Sequence, residues 1–212
     1  MDTSPTSHTS PTSHTSPTSH TSPTSPKNYI VLDTETNGIG TFRPGRQRPI
    51  QVSLFKCDSE GNITHEYSEF VKGVREIRSP VCPDEWTLDF INSNGIDIHV
   101  IIKDIEDLID EHTTIVGHNI QFDIDCLLNM VPSSKIKKTP NICTMKQSVN
   151  FCKMPKTGRG AGYGGYKWPR LNELANCVGI EVEEERLHDA RYDIELTMKS
   201  FFELTRRKVI AV

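Results

Sequence analysis

Two carboxylates two residues apart, Asp33 and Glu35, follow the apolar run Tyr29 to Leu32 and precede a Thr-Asn-Gly turn at 36–38. The run is partly β-branched and reads as a buried strand ending in a turn. Residues i and i+2 of a strand point to the same side, so the two acids project together. Adjacent carboxylates repel unless something positive lies between them. Hard oxygen donors suit Mg²⁺ or Mn²⁺. Taken alone, the pair is equally what a solvated strand end carries.

Further acids raise the stakes. A helix is expected from about Asn119 to Val131, with apolar residues at 120, 124, 127, 128 and 131. Asp123 falls inside that stripe, whereas Asp125 shares the other face with Gln121 and Asn129. A buried ionised carboxylate without a partner costs several kcal/mol. Asp123 must therefore be neutralised, hydrogen-bonded or metal-bound. A last helix is expected from Ala190 to about Leu204, with Asp189 as its N-cap. Asp193 lies on its less polar side near Ala190, Thr197 and Leu204, opposite Arg191, Glu195 and Lys199. His188 precedes Asp193 by five residues, and five helical steps would splay the pair by about 140°. They share a site only if His188 sits on the loop before the helix, which is where the cap puts it.

The elements that must position these residues read as follows. Ile39 to Arg48 is a polar loop with Arg43, Arg46 and Arg48. Pro49 to Lys56 is a second strand, and Ile63 to Val71 pairs back as a third across the turn Glu60-Gly61-Asn62. A short helix is expected over Asp84 to Ile91, ended by Asn94-Gly95. Ile98 to Asp110 carries a helical apolar stripe, and Thr113 to Val116 is a short β-branched strand. The alternation from there on argues an α/β chain with parallel strands. Residues 132–169 read as a long loop region with a helix near 143–150 and the cations Lys135, Lys137, Lys138, Lys153, Lys156, Arg159 and Lys167. Gly158 to Gly165 is glycine-rich with Tyr163 and Tyr166 interleaved. That mixture suits backbone contact plus base stacking, and equally a solvated flexible loop. It lacks the spacing of a Walker loop. Trp168-Pro-Arg-Leu opens a helix to Val178, stopped by Gly179. The expected fold is a mixed central β-sheet flanked by helices.

The chain of 212 residues divides at Pro26. Residues 1–26 are almost wholly Ser, Thr, Pro and His, and the hexad Ser-Pro-Thr-Ser-His-Thr starts at Ser4, Ser10 and Ser16. Such a segment buries too little to offset chain entropy and reads as a disordered tail. It lacks the basic start and apolar core of a signal peptide. His8, His14 and His20 recur in it as a by-product of the repeat rather than as a metal site, and its Ser-Pro pairs are candidate phosphorylation sites. Residues 27–212 are one domain by length. The formal net charge of −4 does not advertise a nucleic-acid binder, nor exclude one, since acidic metal ligands are part of the count. The six cysteines form no Cys-x-x-Cys pair, which argues against structural zinc. With no secretory signal they read as reduced thiols, and the chain as intracellular, in cytoplasm or nucleus, and not secreted. No apolar run approaches ~18 residues, so no membrane span is expected.

Taken together, Leu-Asp-Thr-Glu-Thr-Asn-Gly (32–38), Val-Gly-His-Asn-Ile-Gln-Phe-Asp (116–123) and His-Asp-Ala-Arg-Tyr-Asp (188–193) resemble the ordered motifs of the DEDDh exonucleases. That family includes the proofreading ε-subunit-like, or DnaQ-like, exonucleases. The resemblance runs from Lys27 to the end of the chain. It implies a ribonuclease H-like fold and 3′→5′ hydrolysis of nucleic-acid ends to nucleoside 5′-monophosphates. It implies Asp33, Glu35, Asp123 and Asp193 as ligands of two Mg²⁺ or Mn²⁺, with His188 as general base. Four carboxylates match the charge of two such ions, and a metal pair about 3.5–4 Å apart can hold both the attacking and the leaving oxygen. A histidine imidazole takes protons near neutral pH. By the same resemblance Thr36, Asn37, Ile39 and Asn119 contact the terminal nucleotide, Ile39 wedging against its base. Asn37-Gly38-Ile39 departs from the family's usual Thr-Gly-Leu, so the resemblance does not carry over the detail of the sugar contacts. Asn119 is a substrate contact or a helix cap, and His118 a structural residue.

The substrate expected is the single-stranded or frayed 3′ end of DNA. RNA on the same fold is the alternative, to be separated by contacts to the 2′-hydroxyl. A degenerate, non-catalytic binding module is the other alternative, against which the presence of all five polar residues argues. The chain holds no polymerase domain, so a proofreading role would place the polymerase on a separate subunit.

Overall fold

In the computed structural model, described residues are 27–38, 47–79, 82–158 and 164–212. The repeat tail, Ile39, Arg43, Arg46, Arg159 and Tyr163 lie outside them. Five strands form one sheet: β1 (Asn28–Thr36), β2 (Pro49–Cys57), β3 (Ile63–Phe70), β4 (Thr113–Gly117) and β5 (Asn141–Cys143). The order is β3-β2-β1-β4-β5, and β1 pairs antiparallel with β2 and parallel with β4. The mixed sheet flanked by helices is the architecture expected from the alternation of patterns.

The helices are α1 (Leu88–Asn94), α2 (Ile98–Leu108), α3 (Ile120–Met130), α4 (Ser134–Lys138), α5 (Thr144–Gln147), α6 (Val149–Cys152), α7 (Leu171–Val178) and α8 (Ala190–Arg206). Two layers pack on the sheet, and residue parity along β1 decides which layer each side chain meets. Ile30 and Leu32 join Val52, Leu54 and Ile115 against Ile101 and Ile105 of α2 and Ile124 and Leu127 of α3. Tyr29 and Val31 join Phe55 and Val116 against Leu174 of α7 and Ile194, Phe201 and Leu204 of α8. Phe201 is fully buried, its ring 4.9 Å from that of Tyr29.

Local chemistry moved some boundaries. The first helix starts at Leu88 rather than Asp84, because the Thr87 hydroxyl accepts from the Phe90 amide at 3.1 Å and caps it there. Its end falls before Gly95, as expected. The helix expected near 143–150 is two one-turn helices separated at Ser148. α4 and β5 are additions within the stretch read as loop. Gly179 ends α7 in the left-handed region, φ 85°. Gly117, the last residue of β4, is needed for a different reason. A Cβ there would lie 2.9 Å from the Leu32 carbonyl oxygen, too close to fit.

Candidate active site

The same parity that splits the core assembles the acids. Asp33 and Glu35 continue the odd face of β1, which looks onto α8. Thr34 lies between them on the even face, which looks onto α3. Its backbone N–H and its hydroxyl both donate to Asp123 Oδ1, at 3.1 and 2.7 Å. A residue to which the sequence assigned no role thus ties the first acidic motif to the second. Alternation alone places it opposite the two acids, so the signal was present but needed the position of α3 to be used.

The sequence-derived acids meet at the C-terminal end of β1. Asp123 is buried in the first turn of α3, and the exposed Asp125 faces away, as the stripe implied. Asp33 and Glu35 are half-buried and keep part of their surface exposed. Asp193 sits in the first turn of α8, and its Oδ1 is buried without a hydrogen-bond partner among the described residues. Burial, and then Asp123, Glu35 and Asp193, push the Asp33 carboxyl well above its ordinary range. Burial followed by Asp193, Asp123 and Asp189 raises Glu35 to about 8. Burial raises Asp123 to about 7 against the opposing Thr34 bonds. Burial likewise raises Asp193 to about 7, opposed by the His188 backbone amide. Four acids this close resist ionising together, and neighbouring positive charge would favour their ionised forms.

His188 lies on the loop before α8, exposed and at φ 70°, a backbone state uncommon for a residue with a Cβ. One ring nitrogen of His188 and carboxylate oxygens of Glu35 and Asp193 all fall within 4.8 Å of one another. Asp189 caps α8, accepting from Arg191 N at 2.9 Å and Tyr192 N at 3.4 Å. The loop has a second anchor that the sequence reading did not find. The Tyr192 hydroxyl accepts from Glu183 N at 2.8 Å, and the Arg186 guanidinium lies 4.3 Å from the centre of the Tyr192 ring.

The residues expected along the terminal nucleotide fare differently. Thr36 and Asn37 are buried, each about 4% exposed. Asn37 Oδ1 accepts from Arg48 N at 3.0 Å, and the Asn37 N–H donates to Arg48 O at 3.0 Å. Its carbonyl accepts from Arg78 N at 2.7 Å, so Asn37 fastens the base of the loop after β1. Asn119 occupies the cap position of α3 at φ 73°, but its side chain makes no capping bond. Ile39 lies outside the described residues. His118 is structural in its contacts: Nδ1 meets Thr144 Oγ1 at 3.0 Å and Nε2 meets the Pro169 carbonyl at 3.1 Å. Burial lowers it to about 4, so it is neutral at physiological pH. All six cysteines are free, and no helix among the described residues is long and apolar enough to cross a membrane.

Comparison with known proteins bears on this arrangement. A model of the exonuclease family RNase_T matches residues 30–201. The PolC-type DNA polymerase III of Mycoplasma genitalium is 24% identical over 179 residues, covering 84% of this chain but 11% of the polymerase. Escherichia coli exonuclease I in complex with a dA16 oligonucleotide superposes with a TM-score of 0.64 at 19% identity, over 86% of this chain and 41% of that one. The zinc-ion-bound form of the same enzyme's complex with single-stranded DNA gives 0.62 at 20%, over 86% and 41%. Exonuclease I of Methylocaldum szegediense gives 0.59 at 20%, again over 86% and 41%. This chain therefore spans about two fifths of the exonuclease I chains and about a tenth of the polymerase. The shared fold is ribonuclease H-like.

Proposed function

The chain belongs to the DEDDh, DnaQ-like exonuclease family, and from that premise we propose that it hydrolyses the terminal phosphodiester at DNA 3′ ends with divalent metal ions. The observation that carries this is the meeting of Asp33, Glu35, Asp123 and Asp193, drawn from three elements, with His188 at their rim. The DNA complexes of exonuclease I and the polymerase relative favour DNA over RNA, and a polymerase as partner.

The donors fit hard divalent ions. They are carboxylate oxygens; three of the carboxyl groups are raised to about 7 or 8, and one buried oxygen has no hydrogen-bond partner among the described residues. Asp33, Glu35, Asp123 and Asp193 would hold two Mg²⁺ or Mn²⁺. When bound, such ions offset the carboxylate charge, acidify a water and stabilise charge on the attacking and leaving oxygens. Thr34 fixes Asp123 by two bonds donated to Oδ1, which leaves Oδ2 outside those bonds. His188, on a loop held by Asp189 and Tyr192, takes the proton of the attacking water. The water's oxygen bonds to phosphorus, the bond to the 3′-oxygen of the penultimate nucleotide breaks, and a nucleoside 5′-monophosphate leaves.

The test is to incubate the full chain with 5′-labelled single-stranded DNA, or RNA of the same sequence, in Mg²⁺ or in EDTA, alongside His188→Ala. A ladder shortening from the 3′ end, lost in EDTA and in His188→Ala, supports the reading, and the faster polymer identifies the substrate. Binding without cleavage of either polymer would overturn it in favour of a non-catalytic binding module.

A further inference from the structure

Trp168 is the most exposed large apolar side chain among the described residues, at 62% of its surface. Exposure of so large an apolar ring stands out. Its ring has no aromatic, cationic or hydrogen-bonding partner among the described residues, yet the backbone on both sides is tied down. Lys167 N donates to the Met154 carbonyl at 3.0 Å, and Lys167 Nζ reaches both oxygens of Glu173 at 2.5 and 2.7 Å. Pro169 is buried, its carbonyl held by His118. Arg170 N donates to Glu173 Oε2 at 2.8 Å.

The tie to His118 places the backbone beside Trp168. β1 and β4 run parallel, so the residues just after β4 lie at the same edge of the sheet as Glu35 at the end of β1. His118 is the first residue beyond β4, and Asp123 follows one turn into α3. Trp168 is therefore fastened to the segment that leads into the acid-bearing helix. Tyr166, two residues earlier, is 41% exposed. The exposed cations Lys146 and Lys153 belong to α5 and the turn after α6, the elements that lead into this segment. An exposed aromatic with no partner among the described residues, on a tethered backbone near exposed positive charge and at the edge of a site that needs a negatively charged polymer, matches how single strands are gripped. Phosphates meet cations, and bases stack on rings.

We infer that Trp168 is a stacking platform for a base upstream of the terminal nucleotide, on the strand entering the acid cluster. This rests on the nucleic-acid reading above and names a subsite of it. Such a platform is sequence-tolerant because every base has a π-face. It would hold the strand while the last nucleotide is cut, and it would play no part in the reaction of a substrate with one nucleoside.

The experiment compares wild type, Trp168→Ala and Trp168→Phe on two substrates, a single-stranded oligodeoxynucleotide and the p-nitrophenyl ester of thymidine 5′-monophosphate. A parallel anisotropy titration of the labelled oligonucleotide is run in EDTA. Trp168→Ala should raise KM and Kd for the oligonucleotide on the order of tenfold, the size of one lost stacking contact. It should leave the ester's kcat/KM unchanged, and Trp168→Phe should recover most of the loss. An abasic position at the stacked base should weaken wild type and not Trp168→Ala. Equal loss on both substrates would mark Trp168 as structural, and unchanged KM and Kd would remove the platform; either overturns the inference. Inactivity of wild type on both substrates, with an affinity that Trp168→Ala still lowers, would overturn the hydrolase reading and leave the platform standing.

Discussion

Replacing Asp123 by Asn separates the electrostatic account of the site from a purely geometric one. Asn keeps an oxygen for the two Thr34 donors and turns an amide, in place of a carboxylate, toward the acid cluster. Burial raises Asp123 from 3.8 to about 7. The unfolded chain therefore loses this proton first. Stability falls as pH climbs from about 4 to about 7 and stays low above that. Three pH units at 1.36 kcal/mol each set a ceiling of about 4 kcal/mol. Water reaching the half-buried Asp33 and Glu35 beside it lowers it, and we expect about 2–4 kcal/mol. In EDTA at pH 8.5 Asp123→Asn should then melt roughly 5–15 °C above wild type, at 2–4 °C per kcal/mol for a domain of this size. At pH 4.5 the gap should shrink to about 1 kcal/mol or less, because little of the charge difference is present. Adding Mg²⁺ at pH 8.5 should raise wild type and barely move the variant, which should be inactive. The assay is circular-dichroism melting at the two pH values, with and without metal. An Asp123→Asn protein less stable than wild type in EDTA at pH 8.5, or offset equally at both pH values, would refute the reasoning.

Other perturbations probe the supports. Thr34→Val removes a buried 2.7 Å bond to Asp123 and should cost ~1–3 kcal/mol in urea unfolding. The same change should raise the Mg²⁺ concentration needed for half-activity several-fold, since the lost bond favoured the ionised acid. His118 is held at about 4, below its ordinary 6.5, so the unfolded chain gains its proton first. Its contribution is complete above pH ~6.5 and is lost as pH falls toward 4. His118→Ala should be less stable by about 2–3 kcal/mol at pH 7, and the gap should narrow in unfolding midpoints measured at pH 5. Phe201→Ala empties a fully buried site against Tyr29 and should lower stability by ~3–5 kcal/mol in the same assay, leaving Mg²⁺ dependence of the remaining activity unchanged.

What could be read from the sequence follows from the range over which each choice is made. The direction of Asp33 and Glu35 is set by alternation within one strand, and the burial of Asp123 by a stripe within one helix, so both were legible. The loop position of His188 followed from Asp189 as a cap, a choice made within four residues. The bond that Asn37 accepts from Arg48 comes from eleven residues on, too far for a local pattern to show it. The bond from His118 to Pro169 spans 51 residues and has no local trace. β5 has three residues, too few for a period to register, and exists because β4 offers an edge beside Asn141 and Ile142.

The acids gather at the junction of two cores rather than on one surface. Asp123 comes from α3, packed on the even face of β1, and Asp193 from α8, packed on the odd face. Repulsion among carboxylates on a single mobile element would relax by swinging that element away. Here, parting Asp123 from Asp33 means lifting Ile124 and Leu127 off one side of the sheet. Parting Asp193 means lifting Ile194 and Phe201 off the other. Each buried side chain of that size contributes about 1.5–3 kcal/mol, comparable to or more than the repulsion at one acid. The strain therefore appears as raised proton affinity rather than as displacement. A site built this way should gain its metals without a folding step. Its Mg²⁺ affinity should rise with pH up to about 8, as Asp123, Asp193 and then Glu35 give up their protons. Calorimetric titration at pH 6, 7 and 8 reads that slope, and an affinity independent of pH would mean that these carboxylates are not the ligands.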